Sequence, residues 1–315
     1  MTTALSAREI WVRLLVYPTH SLPTAAAPVM VGIALALRDN LFVSLPVFIA
    51  FLGSWIIHVG GLFKDNYELT YTHRYLPEHP ELLHALETGT LTYTEMRYAI
   101  FACFAIPIMM GYYMVAIGGT TALAIGIIGV TSSYCYTGGP RPYTQYGLAD
   151  PIFVFMFGIV AQVGTYYIQW AALHPAASHG LDALLQLPPE LYYVGLPVGA
   201  LVTNVMVIDD IRDRNWDKVK GWSTFSTRYG LRGGRTEYVT LTVVTYLAPL
   251  VYWWWLGFSA WILLPLLSLP LAIHVVRAVL TREQTRELIM MTPRASYLSL
   301  IYAALLSLGI LLSPN

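Results

Sequence analysis

Four carboxylates, Asp209, Asp210, Asp213 and Asp217, stand where an apolar segment gives way to a charged one, Ile208-Asp209-Asp210-Ile211-Arg212-Asp213-Arg214-Asn215-Trp216-Asp217-Lys218. On a continuous helix Asp209, Asp213 and Asp217 fall at i, i+4 and i+8 on one face, with Asp210 beside them. Like charges at that spacing repel unless a cation sits between them, and a set of hard oxygen ligands suits Mg²⁺ carrying a phosphate-bearing substrate. The plainer alternative is a solvated helix neutralised by Arg212, Arg214 and Lys218.

A second, smaller cluster lies in Lys64-Asp65-Asn66-Tyr67-Glu68, where Asp65 and Glu68 at i and i+3 could share one helix face and a second Mg²⁺. Two acidic clusters at the ends of two apolar segments could clamp a diphosphate from both sides through bridging Mg²⁺. A lipid-tailed diphosphate fits that geometry. Its head would sit at the membrane rim, and its tail would run between helices rich in Phe, Tyr, Trp and Met.

The elements that must carry these residues are membrane spans. Of 315 residues, 56% are hydrophobic and 11% charged, with 13% aromatic. Taking about 18 to 22 apolar residues per crossing, the sequence predicts nine spans at about 21–38, 42–63, 96–118, 120–137, 151–172, 190–208, 236–256, 259–280 and 296–313. Residues 1–20 read as an interfacial amphipathic segment, with Arg8, Glu9 and Arg13 among Ile10, Trp11, Val12, Leu14 and Leu15. With the N-terminus inside, every Lys and Arg except Arg38 falls on the cytoplasmic side, as retention of basic residues there requires. The stretches 64–95 and 209–235 are then long cytoplasmic loops, and the chemistry belongs at that face.

The composition excludes other classes. Net charge is zero and no basic run is present, so a nucleic-acid partner is not expected. Cys103 and Cys135 sit in apolar runs as buried thiols, and His20, His58, His73, His79 and His84 lack metal-ligand spacing. Trp253-Trp254-Trp255 reads as an interfacial anchor.

Asp209 to Gly230, DDIRDRNWDKVKGWSTFSTRYG, resembles the second aspartate-rich motif of the UbiA-type intramembrane prenyltransferases, with Asp213, Asp217, Gly221, Thr224 and Gly230 in register. The form of this motif is most similar to the branch that prenylates 1,4-dihydroxy-2-naphthoate in menaquinone synthesis. Ser21-Leu22-Pro23, Ala25-Ala26-Ala27-Pro28-Val29, Tyr136-Thr137-Gly138-Gly139-Pro140 and Val163-Gly164-Thr165-Tyr166-Tyr167 extend the resemblance across nearly the whole chain. The first motif departs from the family form NDxxDxxxD. Lys64 replaces Asn and Glu68 replaces Asp in one register, and Asp65-Asn66-Tyr67 inverts Asn-Asp-Tyr in the other.

The resemblance implies an all-α bundle of nine membrane helices in a single domain spanning 1–315, sited in a bacterial or archaeal plasma membrane. It implies Mg²⁺ as cofactor, a polyprenyl diphosphate donor and an aromatic acceptor, with no obligate protein partner. Asp65, Glu68, Asp213 and Asp217 are the expected catalytic carboxylates, joined by Asp210 and, more weakly, Asp209 as metal ligands. Lys64, Asn66, Arg141 and Lys218 are the expected diphosphate contacts, and Tyr67, Tyr136 and Tyr143 the expected rings around the allylic cation. Tyr134 shares that aromatic group, with interfacial belt residues as the plainer reading. Two other readings stay open: the same fold with another acceptor or a membrane terpene cyclase, and a non-catalytic prenyl-lipid binder or transporter.

Overall fold

Backbone groups in hydrocarbon must bond within their own segment, and the apolar segments here fold as helices. The computed structural model describes residues 21–72, 80–177, 179–282 and 285–313. Among the described residues there is no strand. The expected interfacial segment, with His20, and the stretch holding His73 and His79 lie outside them. In chain order the helices are α1 (Ser21–Arg38), α2 (Ser44–Thr72), α3 (Pro80–Glu87), α4 (Tyr93–Tyr134), α5 (Ala149–Leu173), α6 (Leu196–Lys220), α7 (Phe225–Trp254), α8 (Ala260–Thr281), α9 (Thr285–Ile289) and α10 (Met291–Leu312).

Six helical stretches, those containing α2, α4, α5, α6, α8 and α10, are long and apolar enough to cross a bilayer, and α1 is a shorter apolar helix. The expected spans at 96–118 and 120–137 are two arms of α4, which bends at Gly119, where φ is 56° and ψ is −143°. A side chain is strained in that region of backbone space, and an added Cβ would also meet the His179 backbone. The start of α4 is set by a capping box, with the Glu95 N–H donating to Thr92 Oγ1 at 3.2 Å and the Thr92 N–H to Glu95 Oε2 at 2.8 Å.

The expected loops at 64–95 and 209–235 are largely helical. α2 runs on to Thr72, so Lys64, Asp65 and Glu68 ride on a helix. Asp65, 21 residues after Ser44, is about 32 Å along it at 1.5 Å per residue, about the thickness of a hydrocarbon core. α6 likewise continues past Ile208 because Ile211 stays fully buried, and it stops at Gly221, whose φ of 77° is the left-handed cap that lets the chain reverse.

α6 is the buried axis of the bundle, packed against α5, α7 and α10, with α1 bridging α5 and α10. Buried polar groups tie these helices together. Asn204 Nδ2 donates to Tyr238 O at 3.2 Å and to Thr242 Oγ1 at 2.9 Å, and Tyr302 OH donates to Thr245 O at 2.9 Å. α2 and α4 pack chiefly on each other and expose much of their apolar surface.

Charge gathers at the two ends. At one end Arg38 bonds Asp39 at 2.9 Å and Glu190 at 2.8 Å, while Tyr166 OH donates to Asp39 Oδ2 at 2.7 Å. Arg38 is the one basic residue expected on the outer side. The acidic motifs of α2 and α6 occupy the other end.

Candidate active site

Asp65 and Asn66 of α2 and Asp209, Asp210, Asp213 and Asp217 of α6 line one cavity of about 1400 Å³. Two clusters far apart in sequence therefore face a common space, as the clamp requires. Asp210, Asp213 and Asp217, at i, i+3 and i+7, are buried on the inner face of α6. Asp209 is the more exposed neighbour and accepts from Arg212 Nη1 at 2.5 Å and from Thr292 Oγ1 at 2.6 Å. Arg212, also on the cavity wall, donates through Nε to both oxygens of Asp213, at 2.8 and 2.9 Å. One guanidinium thus spans two of the four carboxylates.

The donor set suits Mg²⁺. Its oxygens are hard, and Asp210 Oδ2 is buried with no hydrogen-bond partner among the described residues, an arrangement that a cation would relieve. Among the described residues no three His, Cys, Asp or Glu side chains already converge as a ready ligand group. Mg²⁺ is commonly held by one or two carboxylates with the remaining positions filled by water and substrate phosphates, and a cavity lined by spread carboxylates matches that habit.

The first motif contributes less than its sequence offers. Lys64 Nζ and Glu68 Oε1 form an ion pair, and Glu68 Oε2 also accepts from Thr72 Oγ1 at 2.9 Å. Lys64 lies 5.5 Å from the Tyr67 ring and 5.6 Å from the Tyr134 ring, with its stem against Gly138. Tyr67 stacks on Tyr71 at 5.1 Å. Lys64, Tyr67 and Glu68 stay outside the cavity wall, leaving Asp65 as the carboxylate that α2 presents.

Arg141 and Lys218 are exposed and do not reach the cavity. Tyr136 and Tyr143 do line it. Tyr136 packs on Tyr143 at 5.7 Å, on Phe153 at 5.3 Å and on Trp222 at 6.5 Å, building an aromatic shelf beside the carboxylates. Burial first, and then the charges of Asp65, Asp210 and Asp217, push the Tyr136 phenol well above its ordinary range. Burial does the same for Tyr143. Both remain neutral rings at physiological pH.

The turn that carries Tyr143 is held by residues from the far side of the sequence. Ser223 N–H donates to Thr144 O at 2.9 Å, Arg228 Nη2 to Tyr146 O at 2.8 Å and Arg228 Nε to Ser223 Oγ at 2.6 Å. Arg228→Ala removes two of these bonds. It is expected to raise KM for the donor several-fold with a smaller change in kcat, as steady-state kinetics would read; a kcat loss with KM unchanged would place Arg228 in another role.

Spacing alone missed Lys220, Trp222, Thr292 and the carboxyl pair behind Asp210, in which Asp150 and Glu237 share a hydrogen bond. Helical phase could have found Lys220. At i+3 from Asp217 it shares that residue's face, whereas Lys218 at i+1 points about 100° away. Thr292, Asp150 and Glu237 come from other helices and leave no local signal.

Beyond the carboxylates the cavity becomes apolar. It runs between Ile57, Gly53 and Ile49 of α2, Met110 and Met114 of α4, and Phe157 of α5. His58, one of several polar side chains on the cavity wall, is hydrogen-bonded to Thr24 at 3.0 Å and edge-on to Phe157 at 5.6 Å.

Residues 79–311 match the family model described as the UbiA prenyltransferase family. A protein of Escherichia coli (strain K12) named 1,4-dihydroxy-2-naphthoate octaprenyltransferase is 26% identical over 98% of this chain and 97% of its own. One of the same name from Bacillus subtilis (strain 168) is 25% identical over 93% and 90%. Among solved structures, an apo UbiA homolog from Aeropyrum pernix K1 superposes with a TM-score of 0.62 at 17% identity, covering 91% of this chain and 95% of that one. A structure titled for digeranylgeranylglyceryl phosphate synthase gives a TM-score of 0.52 at 15% identity, covering 96% and 99%. These two structures share the fold.

Proposed function

The chain belongs to the UbiA prenyltransferase family, and on that premise we propose that it transfers a polyprenyl group from an isoprenyl diphosphate to 1,4-dihydroxy-2-naphthoate in a Mg²⁺-dependent reaction. The observation that carries this reading is the single cavity, carboxylate-lined at one end and apolar along its length, into which both acidic helices project. The named relatives support the acceptor. We place the protein across a bacterial or archaeal plasma membrane with nine crossings, the carboxylate end facing the cytoplasm.

Asp65, Asp210, Asp213 and Asp217 would hold Mg²⁺, with Asn66 and Arg212 orienting the diphosphate beside them. Mg²⁺ bound there supplies neutralisation of the charge that builds on the leaving diphosphate. The C1–O bond of the donor breaks and its electron pair leaves with the diphosphate; an electron-rich ring carbon of the acceptor forms the new C–C bond, and the displaced proton passes to the released diphosphate. Tyr136 and Tyr143, kept neutral, present their faces to the allylic cation. The apolar walls seat the tail and exclude water that would otherwise capture the cation.

The test is product formation by purified, detergent-solubilised protein, with Mg²⁺ or EDTA, using prenyl diphosphates of several lengths with and without dihydroxynaphthoate and mass-spectrometric detection. A prenylated naphthoate-derived product that disappears with EDTA is the expected result. Diphosphate release without that product would move the acceptor elsewhere or point to cyclisation, a reading favoured by the single carboxylate that α2 presents. Absence of release under every condition would leave a prenyl-lipid binder.

A further inference from the structure

Lys220 ends α6 with its side chain almost wholly enclosed, 1% exposed, and its Nζ lies 2.8 Å from Asp217 Oδ1. The same Nζ lies 3.7 Å from the centre of the Trp222 ring. Asp217 and Trp222 both face the cavity, while Lys220 stands behind them, outside its wall. Its charge therefore reaches the site through Asp217 and not by touching a ligand.

The arrangement is built by the chain reversal at Gly221. There the Trp222 N–H donates to Asp217 O at 2.9 Å, and the indole folds back over the ammonium. A buried charge is tolerated only when it is paired, and an aromatic face adds to the hold. Lys220 is thus a fixed counter-charge, unlike exposed Lys218 two residues earlier.

Five carboxylates line the cavity with Arg212 among them. A cluster of that kind attracts a divalent ion whether or not substrate is present. A fixed positive charge within about 5 Å opposes that ion in a partly buried site, and a diphosphate bringing its own negative charge reverses the balance. We infer that Lys220 is a positioning residue that keeps Asp217 charge-compensated in the empty site, so that the divalent metal loads together with the diphosphate and not ahead of it. This rests on the metal and diphosphate reading given above.

The experiment measures Mn²⁺, as a paramagnetic stand-in for Mg²⁺, binding to the purified full chain by electron paramagnetic resonance of the free ion, with and without inorganic pyrophosphate. Protein-free solutions of the same composition give the baseline. Wild type is expected to bind Mn²⁺ at least tenfold more tightly with pyrophosphate than without. Lys220→Met, which keeps the stem and removes the charge, is expected to bind Mn²⁺ alone at least tenfold more tightly than wild type, and Lys220→Arg to stay near wild type.

A mere packing defect would weaken Mn²⁺ binding, the opposite sign. Lys220→Gln serves the same purpose if Lys220→Met does not fold. Unchanged or weaker Mn²⁺ binding by the uncharged variants, with the pyrophosphate dependence of wild type intact, overturns the inference and leaves the proposed function standing. Equal Mn²⁺ affinity of wild type with and without pyrophosphate overturns the inference before any variant is made. Wild type that binds neither Mn²⁺ nor pyrophosphate overturns the proposed function as well.

Discussion

Asp213→Asn is expected to lower product formation by roughly 10² to 10³-fold, the loss seen when one preorganised group that stabilises leaving-group charge is removed. Asp213 is buried on the cavity wall, and the guanidinium of Arg212 aims it inward. The amide keeps the shape of the side chain but supplies one neutral oxygen where two charged ones stood. Thermal unfolding of the solubilised variant should match wild type, so that the loss is assigned to chemistry. Activity within about tenfold of wild type would remove Asp213 from the metal site.

Arg212→Ala should be costly in two ways. Its guanidinium compensates Asp209 and Asp213 together, and stripping the partner from a buried carboxylate costs on the order of 3 kcal/mol. Asp213 bears most of that cost, because Asp209 is partly solvated. Turnover should fall roughly 10²-fold as well, since a cationic contact facing the diphosphate is lost. Unfolding of wild type and variant with and without Mg²⁺ checks the first part, and the variant should gain more from Mg²⁺ than wild type does. An equal gain in both would show that Arg212 does not share its carboxylates with a metal.

Much of the candidate site's geometry was legible because helical periodicity is a local rule. Asp209, Asp213 and Asp217 recur every four residues, and the helix that makes this spacing meaningful does continue to Lys220. The same rule could not rank competing pairs in the first motif. Asp65 and Glu68 at i, i+3 suggested a shared metal, yet Lys64 and Glu68 at i, i+4 are equally well placed. Lys64 takes Glu68 while its stem meets Gly138, a turn that spacing within the motif cannot reveal. Arg141, an expected diphosphate contact, is exposed, whereas Arg228, near the end of the second motif, is the cation that grips the turn carrying Tyr143. The break between the third and fourth expected spans coincides with the bend at Gly119, where the backbone leaves helical space. The two charged stretches between spans are largely helical because charge marks the end of hydrocarbon, not the end of a helix.

The uneven packing of the bundle bears on how long a tail it can accept. One side of the cavity is α6 and its neighbours, close-packed and fixed; the other is the α2–α4 pair, which leans mainly on itself and turns much of its apolar surface outward. To an alkyl chain, lipid tails and Leu or Met side chains are equivalent surroundings. No rigid end wall is therefore needed to measure the donor. If the carboxylate end anchors the head group as proposed, each further isoprene unit is expected to be taken up between these helices and the bilayer, so that turnover should vary little with the length of the donor.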